Sequence, residues 1–313
     1  MLPVPGDSIL QTKNLGKQYK RRWAVHHLDL EVHRGDVFGF LGPNGAGKST
    51  TIRMLLSLIR PTEGEVFLFG HSVTKEREKA LRSIGGIVEK PDFYPYLSAY
   101  RNLEIVGALN GGTNKKRIEE MLGLVGLAGR ANDKVKTYSH GMKQRLGIAQ
   151  SLLSDPEFII LDEPTSGLDP QGMKEIRDLI RHLASDQKKT VLLSSHLLNE
   201  VEMVANRMAV INQGELVTQG EVSALLEKGE KFVTVQGRPI DTLKGILSKQ
   251  PAITKVVEKG GAFEVSMALE EVPALARALV EGGVEIQALV PRRSLEEYFL
   301  SITDSEAEGG KGT

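Results

Sequence analysis

Apolar and polar positions divide the chain into stretches of different rhythm. Alternation around Ile9-Leu10 and along Leu28-Asp29-Leu30-Glu31-Val32 predicts strands, and Arg34-Gly35-Asp36 turns the chain into the unbroken apolar run Val37-Phe38-Gly39-Phe40-Leu41. So short a run with no polar side fits a strand buried on both faces, as in a parallel sheet. Residues 50–59 then carry Ile52, Leu55, Leu56 and Ile59 at helical spacing and stop ahead of Pro61, which disfavours helix in the residue before it. The resulting order is strand, glycine-rich loop, helix.

From residue 91 to about 156 the rhythm is helical: 101–109, 115–127 and 143–153 are amphipathic with no convincing strand among them, which predicts an inserted helical subdomain. Strand and helix then alternate again, with strands over 158–161, 190–194 and 208–212 and helices over 171–184 and 197–205. That order predicts an α/β domain on a mostly parallel sheet. Asn212-Gln213-Gly214 reads as a turn between short strands, and 221–227 as a connecting helix. Beyond it, strands over 231–235, 262–267 and 284–290 alternate with helices over 240–249, 272–281 and 294–301, enough for a small α+β domain of order β-α-β-β-α-β-α. The expected division is a main domain over 1–228, an accessory domain over 229–303, and a flexible tail over 304–313, where Gly, Glu and Ser leave almost nothing to bury.

Composition narrows the picture by exclusion. A length of 313 residues suits two domains. Forty basic residues balance forty acidic ones, so no net field favours nucleic acid or an anionic surface, and Lys20-Arg21-Arg22 and Arg292-Arg293 read as solvated surface. With no cysteine, disulfides and thiolate metal sites are excluded, which fits a reducing, cytoplasmic compartment. Residues 1–7 have no signal-peptide pattern, and no later run approaches the roughly 18 apolar residues of a membrane span.

The candidate chemistry begins at Gly42-Pro43-Asn44-Gly45-Ala46-Gly47-Lys48-Ser49, followed by Thr50. This is the phosphate-loop pattern in the context it requires, between an apolar strand and a helix. Its glycines let successive N–H groups face a phosphate, the helix start adds partial positive charge, Lys48 can reach β- and γ-phosphates, and the Ser49 hydroxyl can hold magnesium. The apolar strand 158–161 then delivers Asp162 and Glu163 at its end, where ligands of parallel sheets lie. Alone, such a pair is often a mere strand exit. Downstream of a phosphate loop it reads as a magnesium ligand, Asp162, and a base that polarises the attacking water, Glu163.

Further motifs follow in order: Tyr138-Ser139-His140-Gly141-Met142, then Ser166-Gly167-Leu168-Asp169, then His196 after Ser194-Ser195. With these the sequence resembles the ATP-binding cassette family over residues 9 to about 226. Tyr138 to Met142 aligns with that family's signature Leu-Ser-Gly-Gly-Gln; Ser139 and Gly141 match and three positions depart. Ser139 at a helix start fits both a γ-phosphate site and an ordinary N-cap. The resemblance implies a D-loop at 166–169, His196 as the histidine that senses the γ-phosphate, Tyr19 as the ring that stacks on adenine, and Glu89 near magnesium where most cassettes have glutamine. It further implies a magnesium-dependent ATPase working as a homodimer or heterodimer of cassettes. In that pair the signature segment, Ser139 and Gly141, serves the ATP of the partner subunit. It would sit on the inner face of the cell membrane and drive a separate permease, and Pro91-Asp92-Phe93-Tyr94-Pro95-Tyr96-Leu97 is open to two readings, a contact with that permease or packing under the helical subdomain.

The segment 89–98, the appended small domain and the ending 294–300 resemble bacterial export cassettes of the bacitracin-resistance and lantibiotic-immunity type. That likeness implies export of a peptide antibiotic, drug or similar compound. A soluble cassette ATPase acting on ribosomes or DNA, and an importer cassette, are the alternatives.

Overall fold

The computed structural model describes residues 8–109, 111–228 and 230–294. The stretch 1–7, Gly229, the helix expected over 294–301 with the motif 294–300, and the tail 304–313 fall wholly or almost wholly outside them. The chain separates into two compact units, 1–222 and 223–313.

In the first unit β1 (Ser8–Tyr19) and β2 (Arg22–Leu28) form a hairpin, followed by β3 (Glu31–His33) and β4 (Val37–Leu41). Helix α1 (Lys48–Leu55) leads to β5 (Glu63–Leu68), β6 (His71–Ser72), α2 (Arg77–Leu81) and β7 (Ile84–Ile87). Three helices come next: α3 (Ala99–Leu109), α4 (Lys115–Leu124) and α5 (His140–Ser151). The unit continues through β8 (Phe158–Leu161), α6 (Pro170–Ser185), β9 (Thr190–Ser195), α7 (Leu198–Glu202), β10 (Arg207–Asn212), β11 (Glu215–Glu221) and the start of α8 (Val222–Lys228).

Strands β10, β4, β9, β8 and β7 lie side by side in parallel, with β11 antiparallel at one edge. Their unbroken apolar runs are sorted by the pleat onto two faces. Val37, Ile159, Leu161, Val191 and Leu193 join α3 to α6 in one core. Phe38, Phe40, Phe158, Ile160, Leu192 and Ile211 join α1 and the second sheet in the other. Complete burial of each such side chain contributes about 1.5–3 kcal/mol. Helix α6 shows how the pattern becomes structure: Ile176, Leu179, Ile180 and Leu183 form its buried stripe, Pro170 opens the first turn, and Asp169 caps it by accepting from the Gly172 N–H at 3.0 Å.

The second sheet is antiparallel, of order β2-β1-β5-β6 with β3 also paired to β1. Most of it is absent from the periodicity reading, because its strands bury only one side and are broken by bulges. Strand β7 was also missed: its Ile-Gly-Gly-Ile has weak intrinsic strand preference and is held by parallel pairing to β8. The helix expected over 50–59 stops at Leu55, because Ser57 takes φ +55° and the Leu58 N–H returns to the Arg53 carbonyl at 2.8 Å, a Schellman closure without glycine.

In the second unit β12 (Glu230–Arg238), α9 (Ile240–Leu247), β13 (Lys255–Lys259), β14 (Ala262–Ser266), α10 (Val272–Glu281) and β15 (Glu285–Ser294) build an antiparallel sheet of order β13-β14-β12-β15. Val233, Val235, Phe263 and Val265 face Leu243, Leu247, Leu275 and Leu279 of the helices in a core of their own. This is a split β-α-β topology. Strand β13, Lys-Val-Val-Glu-Lys, is mostly exposed and sits at the edge, where its charges discourage pairing with another chain.

One glycine of the parallel sheet is fixed by packing alone. A Cβ on Gly39, in the middle of β4, would lie 2.1 Å from Cγ1 of Val201 on α7. Gly39→Ala is therefore expected to destabilise by about 1–3 kcal/mol through overpacking. Gly123→Ala, in α4 with nothing within 4 Å of the added methyl, should be neutral or stabilising by about 0.4–1 kcal/mol. Thermal unfolding of the two variants beside the parent checks this, and equal midpoints would contradict the close approach of α7.

Candidate active site

Because β4, β8 and β9 run parallel as neighbours, their C-terminal ends open on one edge, and three short segments leave together there: Gly42 onward, Asp162-Glu163, and His196. Backbone bonds lock the segments to one another. The Gly42 N–H donates to the Ser195 carbonyl at 3.2 Å, and the Asp162 N–H to the Ile87 carbonyl at 2.9 Å.

Along the loop Pro43, Asn44 and Gly45 are exposed, Ala46, Gly47 and Lys48 are buried, and Ser49 and Thr50 are half-buried in the first turn of α1. Gly47 takes φ +108°, and a Cβ there would meet the Ala24 carbonyl at 2.5 Å, so both conformation and space demand glycine. It caps α1 without a side chain, and no acidic residue of the helix itself occupies the first turn to offset its positive end. The Lys48 ammonium, only 5% exposed, donates to the carbonyls of Gly42 at 2.7 Å and Pro43 at 3.1 Å and stands 3.4 Å from Glu163 Oε1.

Glu163 is held from three sides. Its Oε1 faces Lys48, its Oε2 lies 2.9 Å from His196 Nδ1, and its N–H donates to Ser194 Oγ at 2.8 Å. The same Ser194 hydroxyl donates to Oδ1 of the buried Asp162 at 2.6 Å. Glu163 adopts φ +47°, a conformation a glutamate keeps only where its surroundings over-determine it, and these contacts supply that. Lys48, Asp162, Glu163 and His196 thus meet. Ser194 is the member that residue patterns missed: its signal is a pair of hydroxyls, Ser194-Ser195, ending an apolar strand directly before His196.

A cavity of about 220 Å³ opens in front of this group, lined by Ser49, Glu89, Lys90, His140, Gln144, Asp162, Glu163 and Ser166. Glu89 is largely exposed and ion-paired to Arg53 of α1. Gln144 is almost fully buried there and had no place in the sequence reading. Ser139 and Gly141 stand apart, in an adjoining recess with Gly167, Leu168 and Asp169. Ser139 caps α5, accepting from the Met142 N–H at 3.2 Å, and His140 Nε2 lies 3.2 Å from the Ser166 carbonyl. Tyr19 does not line the cavity; it is 46% exposed at the end of β1, with the Lys17 ammonium 5.4 Å from its ring centre.

The ABC transporter family model matches residues 25–166. The ABC transporter ATP-binding protein YhcH of Bacillus subtilis is 41% identical over 303 residues, covering 96% of this chain and 98% of that protein. The bacitracin transport ATP-binding protein BcrA of Bacillus licheniformis is 40% identical over 297 residues, covering 94% and 97%. Among solved structures, a dimeric ATP-binding cassette in a post-hydrolysis state bound to ADP and Pi superposes with TM-score 0.62 at 28% identity, covering 68% of this chain and 98% of the other.

The bridging hydroxyl yields a sharp expectation. Ser194→Ala leaves the Glu163 N–H and an Asp162 oxygen without their partner, at a cost of about 1–3 kcal/mol in stability, and turnover should fall roughly 10-fold or more as both carboxylates lose their orientation. Ser194→Thr, which keeps the hydroxyl, should retain most activity. Steady-state ATPase rates with thermal unfolding decide it; parent-like turnover in Ser194→Ala would remove the bridge from any part in the reaction.

Proposed function

The chain belongs to the ABC transporter family as an ATP-binding, ATP-hydrolysing protein, and from that premise we propose that it drives a separate membrane permease exporting a peptide antibiotic, a drug or a similar compound. The observation that carries the working unit of this reading is the split of the candidate residues. Lys48, Asp162, Glu163 and His196 gather at one edge, while Ser139 and Gly141 line a different recess of the same chain. A site needing both sets takes the second from another copy or from a sister cassette, which makes the working unit a dimer with ATP at the interface.

In that unit the loop N–H groups and Lys48 hold the phosphates, Tyr19 offers a ring face to the adenine, and Ser139 and Gly141 of the partner cassette close over the γ-phosphate. Glu163 takes a proton from the attacking water. It is already oriented by Lys48 and His196, and His196 registers the γ-phosphate through a hydrogen bond. Magnesium suits the donors present: the Ser49 hydroxyl and the Asp162 and Glu89 carboxylates are all hard oxygens on one cavity. Bound there, the ion supplies neutralisation of phosphate charge.

The load attaches through membrane contacts. Among the described residues no helix is long and apolar enough to cross a membrane, and the reading assigns the translocation path to other chains. Tyr94 and Tyr96, a few residues after Glu89 in the chain, are 62% and 73% exposed, while Phe93 packs on the core, so the two tyrosines offer aromatic surface to a permease helix. The export reading rests on the near full-length similarity to the bacitracin transport protein.

Two results are expected in cells that make this chain. Detergent extraction should co-purify it with a multi-span membrane protein, and deleting its gene should raise susceptibility to bacitracin or another peptide antibiotic, restored by the parent and not by Lys48→Ala. Co-sedimentation with ribosomes and unchanged susceptibility across a peptide-antibiotic panel would overturn the export role.

A further inference from the structure

Away from the active site, the antiparallel sheet brings three metal-ligating side chains together from distant parts of the chain: His26, His27 and Glu63, with one ligand atom of each within 4.8 Å of the others. Neighbouring residues of a regular strand point to opposite faces, so adjacent histidines do not ordinarily share a ligand. Here β1 and β2 pair as Leu15 with Leu28 and Lys17 with Val25, leaving His26 and His27 both opposite Gly16. That bulge, with His27 at φ +48°, turns both rings to one side, their centres 3.8 Å apart.

On its other edge Gly16 pairs with Glu63 of β5. A Cβ at Gly16 would lie 2.6 Å from Glu63 Cγ and 2.8 Å from Oε1. The missing side chain is therefore what lets the carboxylate lie across β1 toward the histidines. Glu63 Oε1 is buried there with no hydrogen-bond partner, and its closest approach to His27 Nδ1 is 3.9 Å. A buried carboxylate oxygen without a partner in the chain is costly unless something from outside satisfies it, and a cation is one such partner. The imidazoles have outer partners: His26 Nδ1 lies 3.3 Å from Glu215 Oε1, and His27 Nδ1 meets Asn14 Oδ1. Donation from His26 Nδ1 to Glu215 leaves its Nε2 lone pair for a metal, while at His27 the nitrogen that faces Glu63 is Nδ1, which a metal would take over from Asn14.

We propose that His26, His27 and Glu63 form a binding site for a divalent transition-metal ion of the Zn²⁺ class. Two imidazole nitrogens and one carboxylate suit such an ion rather than Mg²⁺ or Ca²⁺, which take oxygen. The ion ties β2 to β5 across β1. It lies directly after Ala24 and Val25 in β2, the residues against which Gly47 of the phosphate loop packs, so it steadies the floor of that loop.

The chain's single tryptophan, Trp23, provides the probe, since its ring centre is 4.7 Å from that of His26. Metal-stripped full-length protein in excess Mg²⁺ is titrated with Zn²⁺ while Trp23 fluorescence is followed. A saturable change at one equivalent per chain is expected. His27→Ala and Glu63→Gln should each bind at least about 10-fold more weakly. Gly16→Ala, which keeps every ligand but displaces the carboxylate, should also weaken binding. Circular dichroism confirms that the variants fold, and the exposed positions of His27 and Glu63→Gln's shape match make loss of fold avoidable in at least two of them. Absence of a saturable change, or parent-like affinity in both His27→Ala and Gly16→Ala, overturns the proposal.

Discussion

Burial of both faces of the parallel sheet is the constraint on which the rest depends. A strand buried on both sides carries few polar side chains in its middle, so polar chemistry gathers at its ends. Parallel alignment puts those ends together. In this molecule Leu41, Leu161 and Ser195 finish neighbouring strands, and the next residues are the phosphate loop, the Asp162-Glu163 pair and His196. Packing thus decides where catalysis can be.

The electrostatics of that edge are arranged around Glu163. Its carboxylate lies between a buried ammonium and an imidazole, and its backbone is pinned by a serine that also holds Asp162. A buried lysine left alone would be costly, and here the loop carbonyls and Glu163 compensate it. In the proposed function nucleotide phosphates compete for the same ammonium, so binding would redistribute the partners around Glu163.

How far the sequence discloses this depends on how local each feature is. The phosphate loop and the strand ending in Asp162-Glu163 are contiguous, so type and spacing reveal them, and the apolar runs 37–41 and 158–161 appear as strands at those positions. Ser194 was not legible, since a serine at a strand end is ordinary until the fold shows which carboxylate it meets. Strand β7 and the antiparallel sheet were equally hidden, because Ile-Gly-Gly-Ile and one-sided, bulged strands acquire their structure from their neighbours. The His26, His27 and Glu63 cluster is the extreme case: it needs a bulge and a glycine between two strands distant in sequence.

The account's central claim is that Glu163 performs the chemistry of a site that two cassettes complete around ATP. Glu163→Gln keeps the size of the side chain and removes its capacity as a base. Sedimentation of this variant with Mg²⁺-ATP, beside its steady-state turnover, measures both halves of the claim. ATP-dependent dimers that persist while turnover falls by about 10²–10⁴-fold are the predicted result; turnover near that of the parent, or a chain that stays monomeric at saturating ATP, would contradict it.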